Sequence, residues 1–208
     1  MSSSIVFIHG LWMNGIDMTL LQNRFKKAGY SSSRFRYKSI NTTPVDNAHK
    51  LAEYINQIES DQIHFVCHSL GGLVLRHCLN LHPLDKPGNI VMLGTPNQTS
   101  IAAKTLSSWP GGSLLLGKSV DNGLLGPLPA WSGKQNIGVV AGDLRLGMGL
   151  IIPNIPTPSD GTVSVAETRL AGMRDHITLH ASHFGLLLSK ETFIQAKHFI
   201  ELTEFFHT

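Results

Sequence analysis

The stretch that most limits how this 208-residue chain can fold is Ile63-His64-Phe65-Val66-Cys67-His68-Ser69-Leu70-Gly71-Gly72-Leu73-Val74-Leu75-Arg76. An apolar run too short for a helix passes directly into a serine between small residues, and a helical pattern begins at once. A chain that turns from strand to helix this sharply leaves the turn hydroxyl in the open. The N–H groups of the helix start point the same way. The positions two before and two after the serine crowd one another and must be small; here they are Cys67 and Gly71. The pattern is G-x-S-x-G with Cys in place of the first Gly. An ordinary turn also accommodates such a serine, so chemistry requires a base, an acid and an oxyanion site elsewhere in the chain.

The rest of the sequence supplies a matching frame. Ile5-Val6-Phe7-Ile8 and Asn89 to Leu93 are short apolar runs, read as strands buried on both faces. Ser33 to Lys38 alternates Phe35 and Tyr37 with basic residues, which predicts a strand near an edge. Asn136 to Ala141 and His176 to His180 complete the set. A helix is expected at about 17–28, stopped by Gly29. Another begins at Thr43-Pro44-Val45-Asp46 with Thr43 as N-cap, Pro44 at the first helical position and Asp46 in a variant capping box. Its apolar positions Ala48, Leu51, Ala52, Ile55 and Ile58 repeat at helical spacing. Ser189 caps a final helix carrying Phe193, Ile194, Lys197 and Ile200. Strands and helices in alternation predict an α/β fold in one domain, 1–208: a mostly parallel sheet of about six strands with helices on both faces. Residues 97–135 resist parsing and read either as a small cap or as loops and a helix filling core.

Composition narrows the function classes. With 42% hydrophobic and 15% charged residues, 20 Gly and 10 Pro, the chain is globular and rich in turns. The net charge of +3 is scattered, without the basic stripe and interleaved aromatics of a nucleic-acid binder. Two cysteines, Cys67 and Cys78, are too few for a disulfide framework or a zinc site. No stretch approaches the ~18 apolar residues of a membrane span, and Met1-Ser2-Ser3-Ser4 leads straight into a strand rather than a signal peptide. A cytoplasmic protein without integral membrane association is the expectation.

In such sheets ligands bind beyond the carboxyl ends of the strands, so chemistry is sought just after each strand. Ser69 is one such residue. His183, in Ala181-Ser182-His183-Phe184-Gly185, follows the last strand and is the candidate base among 11 histidines. The others lie on helices, strands or helix ends, and His68 is expected to direct its side chain away from Ser69. Two residues compete as the acid that orients the imidazole. Asp160 precedes a Gly turn after a Pro-rich loop, and Asp143 ends a strand; Asp160 is favoured. His9-Gly10 follows the first strand, where the Gly lets the backbone approach the serine and the N–H groups of Leu11 and Leu70 form the oxyanion site. Trp12 and Met13 are expected to line the substrate pocket.

The chain resembles the α/β-hydrolases, specifically small bacterial esterases and lipases. The resemblance is carried by His-Gly-Leu (9–11), His-Ser-Leu-Gly-Gly (68–72), Leu-Gly-Thr-Pro (93–96), Asp-Gly-Thr-Val (160–163) and His-Phe-Gly-Leu-Leu (183–187). On this resemblance the family's first two strands are expected to be lacking, with the chain opening on the strand that leads to the oxyanion loop. Asn97-Gln98 stands where related lipases often carry His-Gly. The resemblance implies hydrolysis of a small-molecule or lipid ester through an acyl-serine, with no metal or organic cofactor. The same residues also serve acyltransferases, thioesterases and peptidases, and the scaffold can persist as a non-catalytic binding protein.

Overall fold

The computed structural model describes residues 2–131 and 133–207; Met1, Ser132 and Thr208 lie outside the described residues. Six strands form one all-parallel sheet: β1 (Ser3–Ile8), β2 (Ser31–Phe35), β3 (Gln62–His68), β4 (Asn89–Leu93), β5 (Asn136–Gly142) and β6 (Asp175–Leu179), in the order β2-β1-β3-β4-β5-β6. Alternate side chains of the inner strands enter two separate cores. Val6, Ile8, Phe65, Ile90 and Met92 pack on one face, while Ile5, Phe7, Val66, Val91 and Leu93 pack on the other. This double burial explains the unbroken apolar runs, since a residue on either face meets protein. Each large side chain so buried contributes roughly 1.5–3 kcal/mol.

Helices α1 (Thr19–Lys27), the short α7 (Gly185–Leu188) and α8 (Lys190–Leu202) cover one face, and α2 (Pro44–Asn56) and α3 (Leu70–Leu81) cover the other. Thr43 caps α2 as expected, its Oγ1 accepting the Asp46 N–H at 3.1 Å. The return bond of a capping box is replaced by the Thr43 hydroxyl donating to Asp46 Oδ2 at 2.8 Å. Ser189 caps α8 through the Thr192 N–H. The buried face of α8 is Thr192, Gln195, Ala196, Phe199 and Ile200; Ile194 is exposed, so the apolar face lies to one side of the one expected from sequence. Strand β2 is at the sheet edge, as its alternation predicts, but ends at Phe35. Tyr37 leaves the ladder to stack on His9, with ring centroids 4.2 Å apart.

Residues 97–125 fold into α4 (Ile101–Ser107), α5 (Gly112–Leu116) and a series of tight turns. Long-range bonds set this path. Ser100 caps α4 with its hydroxyl and donates its own N–H to Leu124, and the Lys118 N–H reaches the Ile40 carbonyl. Leu106, Leu116 and Leu124 turn inward, whereas Leu114 and Leu115 are exposed. Among the described residues no helix is long and apolar enough to cross a membrane.

Candidate active site

Ser69 sits between β3 and α3 with φ 52° and ψ −124°. L-residues seldom occupy this region, which costs on the order of 1–3 kcal/mol and persists only where the surroundings enforce it. Several bonds enforce it here. The Ser69 N–H donates to the Leu93 carbonyl at 2.9 Å, while the Ser69 carbonyl accepts from the Gly72 N–H and the Thr95 hydroxyl, each at 3.1 Å. The small residues around it are explained by their neighbours. A Cβ on Gly71 would lie 2.5 Å from the carbonyl oxygens of Ile8 and His9, so the crowding that requires Gly comes from the end of β1 and not from Cys67. A Cβ on Gly72 would strike Thr95. Cys67 is fully buried, and burial pushes its thiol well above the ordinary range; it packs as a small apolar group without a reactive thiolate.

His183 and Asp160 are brought together at 2.7 Å, with His183 Nδ1–H donating to Asp160 Oδ2. Asp160 is fully buried at the start of a tight turn, where its Oδ1 accepts the N–H groups of Thr162 and Val163 at 2.8 and 2.7 Å. The carboxylate is therefore fully partnered, as a buried charge must be. The tautomer this fixes leaves His183 Nε2 as the accepting nitrogen. Asp143, the rival acid, lies at the surface and bonds to His180 at 2.9 Å. Gly94, from the Leu-Gly-Thr-Pro segment, has φ +55°, and a Cβ there would lie 3.0 Å from both Asp160 Oδ2 and His183 Nδ1. Its role is to leave room for that bond. The Ser69 hydroxyl makes no hydrogen bond among the described residues; it and His183 share a cavity wall.

The loop after β1 reaches the same place. The ring of His9 donates from Nδ1 to the Gly10 carbonyl at 2.9 Å and accepts the Tyr37 N–H at Nε2, and the Tyr37 hydroxyl donates to the His9 carbonyl. Turning the Gly10 carbonyl toward His9 turns the Leu11 N–H the opposite way, because the two lie on opposite sides of a trans peptide. The Trp12 N–H is taken by Ser39 Oγ. The N–H groups of Leu11 and Leu70 have no acceptor among the described residues; for Leu70 this follows from its place in the first turn of α3. Gly10 is required by proximity, since its Cβ would lie 3.0 Å from the Ser69 Cβ.

These groups open into an apolar cavity of about 320 Å3. Its walls include Leu11, Trp12 and Met13 from the loop after β1. Ala102, Ala103 and Leu106 of α4 line it too, with Leu116 and Leu124 beyond. The Trp12 indole also donates to the Leu115 carbonyl on α5 at 2.9 Å. Asn97 is buried beside the cavity. Its carbonyl accepts from Arg76 Nη1 at 3.0 Å and its Nδ2 donates to Thr168 at 2.8 Å, so this departure from the lipase pattern serves as a cross-link. A second hollow, at the opposite end of the sheet, is lined by polar residues such as Asn89, Gln135 and Asn136, whose amides are bonded to neighbouring protein groups.

His68 is directed toward His183, a partner the sequence did not reveal: its ring lies 4.6 Å from that of His183, and its Nε2–H donates to the His183 carbonyl at 3.0 Å. Strand alternation carried part of the signal. His68 shares a face with Val66, whose core includes Ala181 and Leu186 on either side of His183.

A six-stranded parallel sheet with a serine at the β3–α3 turn and a buried Asp–His pair after the later strands decides the architecture. The fold is that of an α/β-hydrolase. The structure of Bacillus licheniformis lipase BlEst2 in mature form superposes with a TM-score of 0.75 at 20% identity, covering 96% of this chain and 91% of that one. The metagenomic carboxyl esterase MGS0156 matches with 0.68 at 18% identity over 88% of this chain and 64% of its own. Phospholipase PlaB from Legionella pneumophila, in complex with thio-NAD, matches with 0.67 at 17% identity over 95% and 56%. In sequence, the family described as "Putative serine esterase (DUF676)" matches residues 3–102, a little under half of the chain. No curated protein matches the sequence.

Proposed function

We propose that the chain is a serine hydrolase that cleaves carboxylic esters of small molecules or lipids through an acyl-serine intermediate. The observation that carries this reading is the buried Asp160–His183 bond of 2.7 Å at the wall of an apolar cavity that Ser69 shares. In the reaction Ser69 Oγ attacks the acyl carbonyl as His183 Nε2 takes its proton. Asp160 keeps the proton on Nδ1 and stabilises the imidazolium that forms. The Leu11 and Leu70 amides hold the oxyanion, and each such donor is worth about a hundred- to thousandfold in rate. His183 returns the proton to the departing alcohol, and a water molecule, deprotonated by the same imidazole, releases the acid and restores Ser69. The scarcity of polar groups in the cavity favours an acyl chain over a peptide as the bound group, and similarity to proteins named lipase, carboxyl esterase and phospholipase agrees with this choice.

The test is labelling with a fluorophosphonate, together with hydrolysis of p-nitrophenyl esters from acetyl to long-chain. Wild type is expected to be labelled and active, and Ser69→Ala to be neither. A folded wild type that is unlabelled and inert across the series overturns the reading.

A further inference from the structure

Residue 183 is pinned through its backbone on both sides. Its N–H donates to the Asp160 carbonyl at 2.8 Å, and its C=O accepts from His68 Nε2 at 3.0 Å. His68 immediately precedes Ser69, so the loop carrying His183 is bonded to the residue beside the serine. We propose that His68 is a positioning residue that holds the His183 carbonyl, and through it the imidazole, in register with Ser69. This inference rests on the proposed serine-hydrolase function.

The surroundings of His68 suit the task. Its side chain is fully buried and its ring lies against that of His183 at 48°, which limits tilting of the imidazole. The bond to a carbonyl requires the proton on Nε2, leaving Nδ1 as an acceptor. Nδ1 has no partner among the described residues and faces Gly10, where a Cβ would come within 2.9 Å. A buried nitrogen with no partner for a second proton keeps the ring neutral. Burial first, and then the charge His183 gains, push the pKa of His68 well below the ordinary value. A neutral His68 anchors His183 without placing a second positive charge beside its imidazolium. A displacement of 1 Å between nucleophile and base costs about a hundredfold in rate, so a bond that sets their register is large in effect.

The full-length chain tests this with two substitutions. His68→Gln places an amide Nε2–H where the imidazole Nε2–H stood, and His68→Met fills similar volume without a donor. The readouts are kcat and KM on the best p-nitrophenyl ester and the downfield proton resonance of His183 Nδ1–H. His68→Met is expected to lose about ten- to hundredfold in kcat with KM within about twofold, and to broaden the resonance, whereas Gln restores both. Should the Met variant fail to fold, His68→Asn replaces it with the same expectation, because its amide sits at the position of Nδ1 and falls short of His183. A folded Met or Asn variant with wild-type kcat and a sharp resonance overturns the proposal, as does a folded Gln variant as impaired as Met. Failure of the hydrolase reading is separately visible as an inert, unlabelled wild type, and the resonance then still reports on His68.

Discussion

His183 is tied to Asp160 twice, by its imidazole Nδ1–H to Oδ2 at 2.7 Å and by its backbone N–H to the Asp160 carbonyl at 2.8 Å. The other carboxylate oxygen is held by two amides, so the acid cannot swivel away from the imidazole. Asp160→Asn would offer an NH2 group or a neutral carbonyl to His183 and favour the wrong tautomer. A loss of about 10⁴ in kcat is expected. Asp143→Asn removes a surface contact to His180, of a kind worth about 0–1 kcal/mol, and should leave kcat unchanged. Steady-state kinetics of the two purified variants side by side distinguish the acids.

Gly94 makes a second claim on the same bond. An alanine there would strain the backbone by about 1–2 kcal/mol at φ +55° and place a methyl group 3.0 Å from both bonded atoms. Gly94→Ala is expected to melt a few degrees lower yet remain folded, and to lose more in kcat than its modest destabilisation explains. Circular dichroism melts paired with kcat give the comparison.

Much of this arrangement was legible in the sequence, and what was not has a physical reason. The double-faced strands announce themselves because burial on both sides demands continuous apolar residues, and Thr43 and Ser189 mark helix starts through local bonds. The turn at Ser69 was equally local. Residues 97–135 were opaque in sequence, and over 97–125 the reason is that partners far along the chain fix the path: Ile40 for Lys118, Leu124 for Ser100 and Glu167 for Ile101. The partner of His68 was not legible because alternation gives only its face, whereas what covers that face depends on where residues 181–187 return to the sheet.

Stability should respond to pH through buried neutral histidines. His64 accepts the Asn89 N–H at Nδ1, and burial lowers its pKa from 6.5. Its folded pKa is depressed, so below pH 6.5 the unfolded chain binds the proton first. The stabilisation is full above that value and is lost as pH falls through the folded pKa. Urea midpoints are expected to be steady just above neutrality and to decline on acidification below about pH 6.5. His64→Asn, with an amide oxygen in place of the accepting nitrogen, should flatten part of the decline. His9, His68, His77 and His176, lowered likewise, account for further acid sensitivity.

Glu167 is buried and uses both carboxylate oxygens as acceptors. Oε2 takes the N–H and hydroxyl of Ser164, capping the short helix α6 (Val165–Thr168), and Oε1 takes the Ile101 N–H at the start of α4. Glu167→Gln must turn an NH2 toward one of these donors. The expected cost is about 1–3 kcal/mol in urea unfolding for the stranded donor. Activity on a long acyl ester should suffer more than on acetate, because α4 walls the cavity.

Through Glu167 that wall is suspended from the segment that also carries Asp160. Under the proposed function, substrate fit and base activation form one unit of exchange. Grafting the corresponding wall of a protein of the same fold onto this chain would transplant a helix without its anchorage. Transfer of acyl preference between such proteins is expected to succeed when 97–125 and 158–168 travel together, and to fail when either moves alone.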